Sequence, residues 1–396
     1  MIHLIGKTKQ FKLLGDGQIW DLKEISPVAA QDTFEDLFSG RALAGLAQKA
    51  DQQLPKNKRT FSRFREKGKI TGLSVTRALL GSEAKARQNA AVLIDKLAQN
   101  GAAGITALTG AGGSKDSWSA KEKAYWKDLD RVIIGAGVSE GLTGRILVRG
   151  IKKYLSRSGL SRIGIVQAKF PGKEAGFLGA VASILSLIFK EAAEKKAGLI
   201  AAVGIDLGRE DIGVGLVTIN PALDIAIVKR GKNYWLFKDS VKTASRRDLN
   251  IFLDARRDYT AKEKEKGRRI RASILNKMAA LILKAQQKAK NLKFTTSRHI
   301  AVAVPGCPSA EGYILHSTDY LPFLRKDDAF NLARNLENLL TKKGLSGYHI
   351  HLINDGIAAG IANIYFNLSQ AKNGEKIAFL GPGSGLGGCV GKVGAR

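Results

Sequence analysis

Three glycine-rich segments, each lying beside an apolar run, constrain this chain more than anything else in it. Residues 203–208 read Val-Gly-Ile-Asp-Leu-Gly, residues 135–141 read Gly-Ala-Gly-Val-Ser-Glu-Gly, and residues 381–388 read Gly-Pro-Gly-Ser-Gly-Leu-Gly-Gly. A strand that stops at glycine can turn sharply. With no side chain in the way, backbone N–H groups can then surround an anion. Such a pattern points to strands whose ends carry phosphate-binding turns.

The runs around these segments alternate between strand and helix. Residues 199–206, 212–219 and 223–229 are rich in Val and Ile, lie between short polar turns, and read as a three-stranded meander. A helix is expected over 264–290, a strand over 300–305, a helix over 327–342, a strand over 349–353, a helix over 357–368 and a strand from 376. In the first half, 84–98 and 142–155 read as helices, 131–134 as a buried strand and 175–187 as an apolar helix. Residues 50–75 and 110–122 are polar and read as loops or insertions, and 190–197 as a short connector. Strands alternating with helices imply an α/β protein with a mixed sheet and covered faces.

A chain of 396 residues is long enough for two or more domains, and 44% hydrophobic with 25% charged residues suits a soluble globular protein. Cys307 and Cys389 are too few for a disulfide framework or a zinc cluster, which fits a reducing cytoplasm. Residues 1–11 lack the apolar core of a signal peptide. The longest uncharged apolar run, 175–189, is short for a membrane span, so no membrane partner is expected. A net charge of +29 is compatible with nucleic acid. The cations are spread along the chain, however. Their richest stretch, 262–293, sets Ile274, Leu275, Met278, Leu281, Ile282 and Leu283 on one helical face, with Lys277, Lys284 and Lys288 on another. That is a core helix with a wet side, and nucleic acid is the disfavoured partner.

Together with Asn354-Asp355-Gly356, the glycine segments resemble the ATP site of the ROK family of sugar kinases, within the actin–hexokinase superfamily. The resemblance implies a two-lobed actin–hexokinase (ribonuclease H-like) fold with mixed sheets flanked by helices. It also implies ATP and Mg2+ as cofactors and a sugar hydroxyl as acceptor. In that family the Asp-x-Gly segment comes first and the Gly-x-Gly-Val-Ser segment near the end. Here the late segments occupy residues 1–190 and the early ones 197–396, so the cyclic order is kept and the starting point has moved. The chain resembles a circularly permuted kinase, or a piece cut across two tandem modules that a homodimer or an exchange of half-modules would complete. On this basis residues 1–172 form the first part of a large lobe, 173–355 a small lobe and 356–396 the rest of the large lobe, with ATP in the cleft between lobes. Residues 388–394 and the start of the chain should then lie side by side in one sheet.

Phosphoryl transfer depends on positioned phosphates, charge stabilisation and a group that accepts the nucleophile's proton. The resemblance makes Asp355 the general base, and a carboxylate is suited to take the proton of a sugar hydroxyl. An Asp at a helix start would also serve as an N-cap. Asp206 and Gly208 correspond to the first phosphate segment, and Gly381, Gly383, Ser384, Gly385 and Gly387 to the second phosphate loop. Pro382 stands there where the family usually has Thr, which removes a hydroxyl and a backbone donor. Gly135, Gly137 and Ser139 correspond to the adenosine-side loop, with Ala136 in place of a common Gly. Gly306, Asp319 and Asn354 are placed toward the sugar. The family's Glu-x-Gly-His and Cys-x-Cys-Gly-x-x-Gly-Cys motifs are missing, so no zinc and no protein-held metal are expected, and His349 and His351 read as strand residues. The rival to a kinase is a non-catalytic sugar- or nucleotide-binding protein of the same fold.

Overall fold

The computed structural model describes residues 3–5, 9–13, 34–65, 68–110, 120–208, 211–220, 234–240, 260–316, 330–365, 370–383 and 386–395. The chain forms two compact units. Gln10–Gly172 and Asn367–Ala395 make up most of the first, and Lys173–Phe366 most of the second.

The chain opens with β1 (His3–Ile5), and in chain order there follow β2 (Lys9–Leu13) and, in the first unit, α1 (Phe34–Leu37), α2 (Gly40–Gln52), α3 (Gly72–Leu80), α4 (Ala84–Leu108), α5 (Ala120–Trp126), β3 (Arg131–Ile134), α6 (Gly141–Arg157) and β4 (Gly164–Gln167). The second unit follows with α7 (Gly172–Ser183), α8 (Leu185–Glu194), β5 (Ile200–Leu207), β6 (Asp211–Ile219), β7 (Tyr234–Ser240) and α9 (Ala261–Asn291). It continues with β8 (Thr295–Val304), β9 (Cys307–Pro308), β10 (Ile314–His316), α10 (Leu332–Lys342), β11 (His349–Asn354) and α11 (Asp355–Tyr365). The chain then returns to the first unit with β12 (Lys376–Pro382) and β13 (Leu386–Ala395).

Local chemistry accounts for many of these boundaries. Ser39 caps α2 by accepting from the Ala42 N–H at 3.1 Å. Thr71 with Ser74, and Thr260 with Glu263, form reciprocal capping boxes that start α3 and α9. Within the stretch 50–75, residues 51–62 are folded rather than loose. The Asp51 carboxylate accepts from the Thr60, Phe61 and Ser62 N–H groups and from the Ser62 hydroxyl. Burial opposes its charge, but these bonds outweigh it and hold Asp51 below its ordinary value. The apolar stretch expected as one helix over 175–187 is two, α7 and α8, bent by 58° at Ile184. The Ser183 hydroxyl donates to the Ala180 carbonyl at 2.7 Å, a local bond that competes with the helical ladder. Among the described residues no single helix is long and apolar enough to cross a membrane.

Both units are built on mixed sheets flanked by helices. The second unit's sheet has the order β11-β8-β5-β6-β7. β5 and β6 form an antiparallel hairpin, β7 adds antiparallel to β6, and β8 and β11 run parallel to β5 on its other side. The third strand of the meander is β7, at Tyr234–Ser240; the run expected as that strand, 223–229, lies outside the described residues. The first unit's sheet has the order β1-β2-β13-β12-β3-β4. β12 and β13 form an antiparallel hairpin, and β3 and β4 run parallel to β12 on its other side. The two sheets therefore share one wiring, a hairpin flanked by two parallel strands. In the second unit the hairpin comes first in the chain; in the first unit it comes last. β2, near the start of the chain, lies next to β13 at its end, so the two chain ends do share one sheet.

The second division between units falls after residue 366, not at 355/356. The reason is α11, which is bound into the second unit by its neighbours. A Cβ on Gly179 of α7 would come within 1.6 Å of the Ala358 carbonyl oxygen of α11, and one on Gly204 of β5 within 2.3 Å of the Phe177 carbonyl oxygen. The backbones of α7, α11 and β5 thus touch without side chains between them. Gly179→Ala should destabilise the protein by about 2–4 kcal/mol in urea unfolding. Gly198→Ala, where a Cβ meets nothing within 4 Å, should be close to neutral. Equal stability of the two variants would contradict this packing.

Candidate functional site

In the second unit the predicted residues gather at one edge of the sheet. Asp206 sits near the end of β5, Gly306 just past the end of β8, and Asn354 at the end of β11. These strands are parallel neighbours, with Asp206 beside Ala303 and Asn354 beside Val304. Strands lie about 5 Å apart, so Asp206 and Asp355 are carried on backbones roughly 10 Å apart across β8. The carboxyl ends of parallel strands are where α/β sheets place their ligands.

Asn354 and Asp355 divide two tasks. Asn354 Oδ1 accepts from the Ile357 N–H at 3.0 Å, so Asn354 is the N-cap of α11. Its Nδ2 donates to the Gly306 carbonyl at 3.0 Å, tying the corner after β8 to β11. That corner requires glycine, because Gly306 has φ +123°. Asp355, expected as cap or base, is relieved of capping. Its Oδ1 accepts from the Gly356 N–H at 2.8 Å. The residue keeps partial solvent access, yet protein surrounds the carboxyl closely enough that burial pushes it up to about 6, against the pull of that hydrogen bond. A carboxyl raised in this way is suited to exchange protons near neutral pH.

Asp206 is flanked by α7. A Cβ on Gly176 would fall 2.6 Å from its Cγ, so only glycine lets the first turns of α7 lie against this carboxylate. Gly208 ends the hairpin strand and donates its N–H to the Asp211 carbonyl at 3.0 Å. Nothing in the residues of α7 marked it as part of this edge beyond its small residues, Gly176 and Gly179.

The first unit gathers its own glycines. The Gly135 N–H donates to the Leu380 carbonyl at 2.9 Å, which sets the loop after β3 beside the end of β12. Gly137 has φ +45°, and a Cβ there would meet the Gly383 Cα and the Pro382 oxygen at 3.1 Å. The Gly40 N–H, at the start of α2, donates to the Gly383 carbonyl at 2.7 Å. A Cβ on Gly72, at the start of α3, would lie 3.2 Å from the Gly40 carbonyl. Two helix N-termini and two glycine loops therefore meet here, an arrangement that favours anions. The hint in the sequence was the pair of capping residues, Ser39 and Thr71. The Gly383 N–H is itself taken up by the Gly381 carbonyl at 2.8 Å, and Pro382 has no N–H. Gly387 lies opposite Gly381 in the hairpin. Ser139 is buried and donates its hydroxyl to the Ala136 carbonyl at 2.7 Å. Asp319, Ser384 and Gly385 lie outside the described residues.

His299, His349 and His351 cluster on one face of β8 and β11, at the opposite end from Gly306 and Asp355. His299 Nδ1 and His351 Nε2 are 3.0 Å apart. Burial lowers both imidazoles, His351 to about 4. They form a neutral hydrogen-bonded pair. Among the described residues no group of three His, Cys, Asp or Glu side chains could hold a metal ion.

Ala136 stands out in the first unit's loop. It has φ +63° and ψ +153°, a region that is essentially reserved for glycine and costs other residues roughly 1–3 kcal/mol. Ala136→Gly should therefore stabilise the protein by about 1 kcal/mol in chemical denaturation, the relief of strain exceeding the entropy of the added glycine. A loss of stability would mean that the loop carries no such strain.

Compared with known proteins, the chain matches no family model and no curated protein sequence.

Proposed function

We propose that this protein is an ATP-dependent sugar kinase of the ROK type, with Asp355 as general base, on a circularly permuted actin–hexokinase fold. One observation carries the proposal: a carboxyl raised to about 6 at the carboxyl edge of parallel strands, with β8 between it and the strand that bears Asp206. The sheets support it. Five strands in the order β7-β6-β5-β8-β11, with β6 alone antiparallel, follow the ribonuclease H-like pattern. The first unit repeats its central hairpin and parallel pair in permuted chain order.

In the second unit, Asp355 accepts the proton of the attacking sugar hydroxyl as the bond to phosphorus forms. Asn354 and Gly306 hold the start of α11 in place, which fixes Asp355. In the first unit, the loops at Gly135–Gly137 and Gly381–Gly383, with the N-termini of α2 and α3, favour a nucleotide's phosphates. Mg2+ neutralises charge on the β- and γ-phosphates when bound, and it is commonly held by one or two carboxylates plus phosphates. A single strand-end carboxylate such as Asp206 fits that demand.

A second reading has its own observation. Pro382 has no N–H and the Gly383 N–H is taken by the Gly381 carbonyl, so neither residue offers a free backbone donor, which suits a nucleotide or sugar sensor that has lost catalysis.

Incubation with ATP, Mg2+ and a panel of hexoses and amino sugars separates the two. A kinase yields sugar phosphate, loses at least about a hundredfold in rate on Asp355→Asn, and slows as pH falls through about 6, because the base must be ionised. Binding of nucleotide or sugar without transfer, in well-folded samples of both proteins, would sink the kinase reading and leave the sensor.

A further inference from the structure

The cations are scattered along the sequence, but the fold gathers one set of them. α6 carries Arg145, Arg149, Lys152, Lys153 and Arg157 and no acidic residue. All five residues are exposed. Arg145, Arg149, Lys152 and Lys153 stand at i, i+4, i+7 and i+8, on one face of the helix, and Arg157 continues the row one turn beyond Lys153. The opposite face, with Leu147, Val148, Ile151 and Leu155, is buried in the first unit's core.

Little neutralises this row. Asp95 of α4 approaches Lys153 at 3.9 Å and accepts from the Tyr154 hydroxyl. Among the described residues no carboxylate pairs with Arg145, Arg149, Lys152 or Arg157. α9 shows the contrast, since Glu265 there pairs with both Arg268 and Arg269. Like charges one turn apart repel, so the row on α6 gains from an anion laid against it. From Arg145 to Arg157 it runs about 18 Å, which exceeds a small anion and matches about five base-pair steps of a duplex.

We infer that the exposed face of α6 docks on the phosphate backbone of a nucleic-acid duplex, without reading its bases. Charge complementarity argues for a polyanion. A lipid surface fits less well, because a helix lying on a membrane inserts its apolar face, and that face of α6 is committed to the core. A single strand also fits less well, because it is held by aromatic rings on which bases stack. The one aromatic residue of α6, Tyr154, has its hydroxyl tied to Asp95 and its ring faced by Lys153 and Arg157. None of the five cations takes part in the kinase reading, so the two inferences stand or fall separately.

Fluorescence anisotropy of a labelled DNA duplex of about 24 base pairs, titrated with the full chain from about 50 to about 300 mM KCl, tests the inference. Saturable binding at about 1 μM or tighter is expected at the lowest salt. The logarithm of the binding constant should fall against that of salt with a slope of about −4, and an unrelated duplex should bind within about threefold. Arg145→Gln, Arg149→Gln and Lys152→Gln combined should weaken binding at least about thirtyfold and flatten the slope by about 2.7, or about 0.9 for each lost phosphate contact. The same charge removed from exposed lysines of α9, by Lys264→Gln, Lys284→Gln and Lys290→Gln, should change affinity by less than about threefold. The inference is overturned if the duplex does not saturate, or if the α9 variant loses as much as the α6 variant, since the attraction would then belong to the net charge alone. Tighter binding to phosphatidylserine vesicles or to poly-glutamate than to the duplex, at the same salt, would overturn it as well.

Discussion

The first unit depends on the pairing of its last strand on both sides. β13 closes a hairpin with β12 and lies next to β2 from the other end of the chain. Its buried residues Leu386 and Val390 join a core that includes Val132, Ile134, Leu147 and Ile151. Without β13, the backbone donors and acceptors along β12 would lose their partners, and the unit's core would open to water on one side. The glycine turn at 381–383 exists only because this hairpin exists. The loops at Gly40 and Gly137 then dock on that turn through backbone contacts too close for side chains.

The second unit solves a related problem with helices. Glycines on α7 and β5 let α7 lie directly on β5, and Gly179 lets α11 approach as closely. That packing fixes where α11 begins. Asn354 then takes the cap, and Asp355 keeps the hydrogen bond from the Gly356 N–H while its carboxyl is desolvated. The proton chemistry proposed for Asp355 follows from this division of labour.

Much of this was legible in the residues. Strand ends at Asp206, Ile134 and Asn354 were marked by glycine or an Asn-Asp pair following a Val- and Ile-rich run. The amphipathic pattern of α9 was also plain, and its buried face includes Ile274, Met278 and Ile282. The strand at Tyr234–Ser240 was not anticipated because it is led by aromatics and ends in charge, whereas the expectation rested on the β-branched run 223–229, which lies outside the described residues. The order within 50–75 was hidden because it rests on one carboxylate, Asp51, reaching residues nine to eleven positions away. The break at Ile184 was hidden for a similar reason, as composition does not reveal a serine bonding back to its own helix. The sheet position of β2 beside β13 followed from motif order, and no local pattern carried it.

The central claim is that the first unit's sheet is one continuous structure joined across the two ends of the chain. Reordering the chain tests it most directly. Residues 197–396 would be followed by a Gly/Ser linker of about fifteen residues and then by residues 1–196, opening the exposed turn between α8 and β5. The account predicts a folded monomer with a thermal midpoint within a few degrees of the parent's. An unfolded chain, or one that folds only as a dimer exchanging halves, would contradict it.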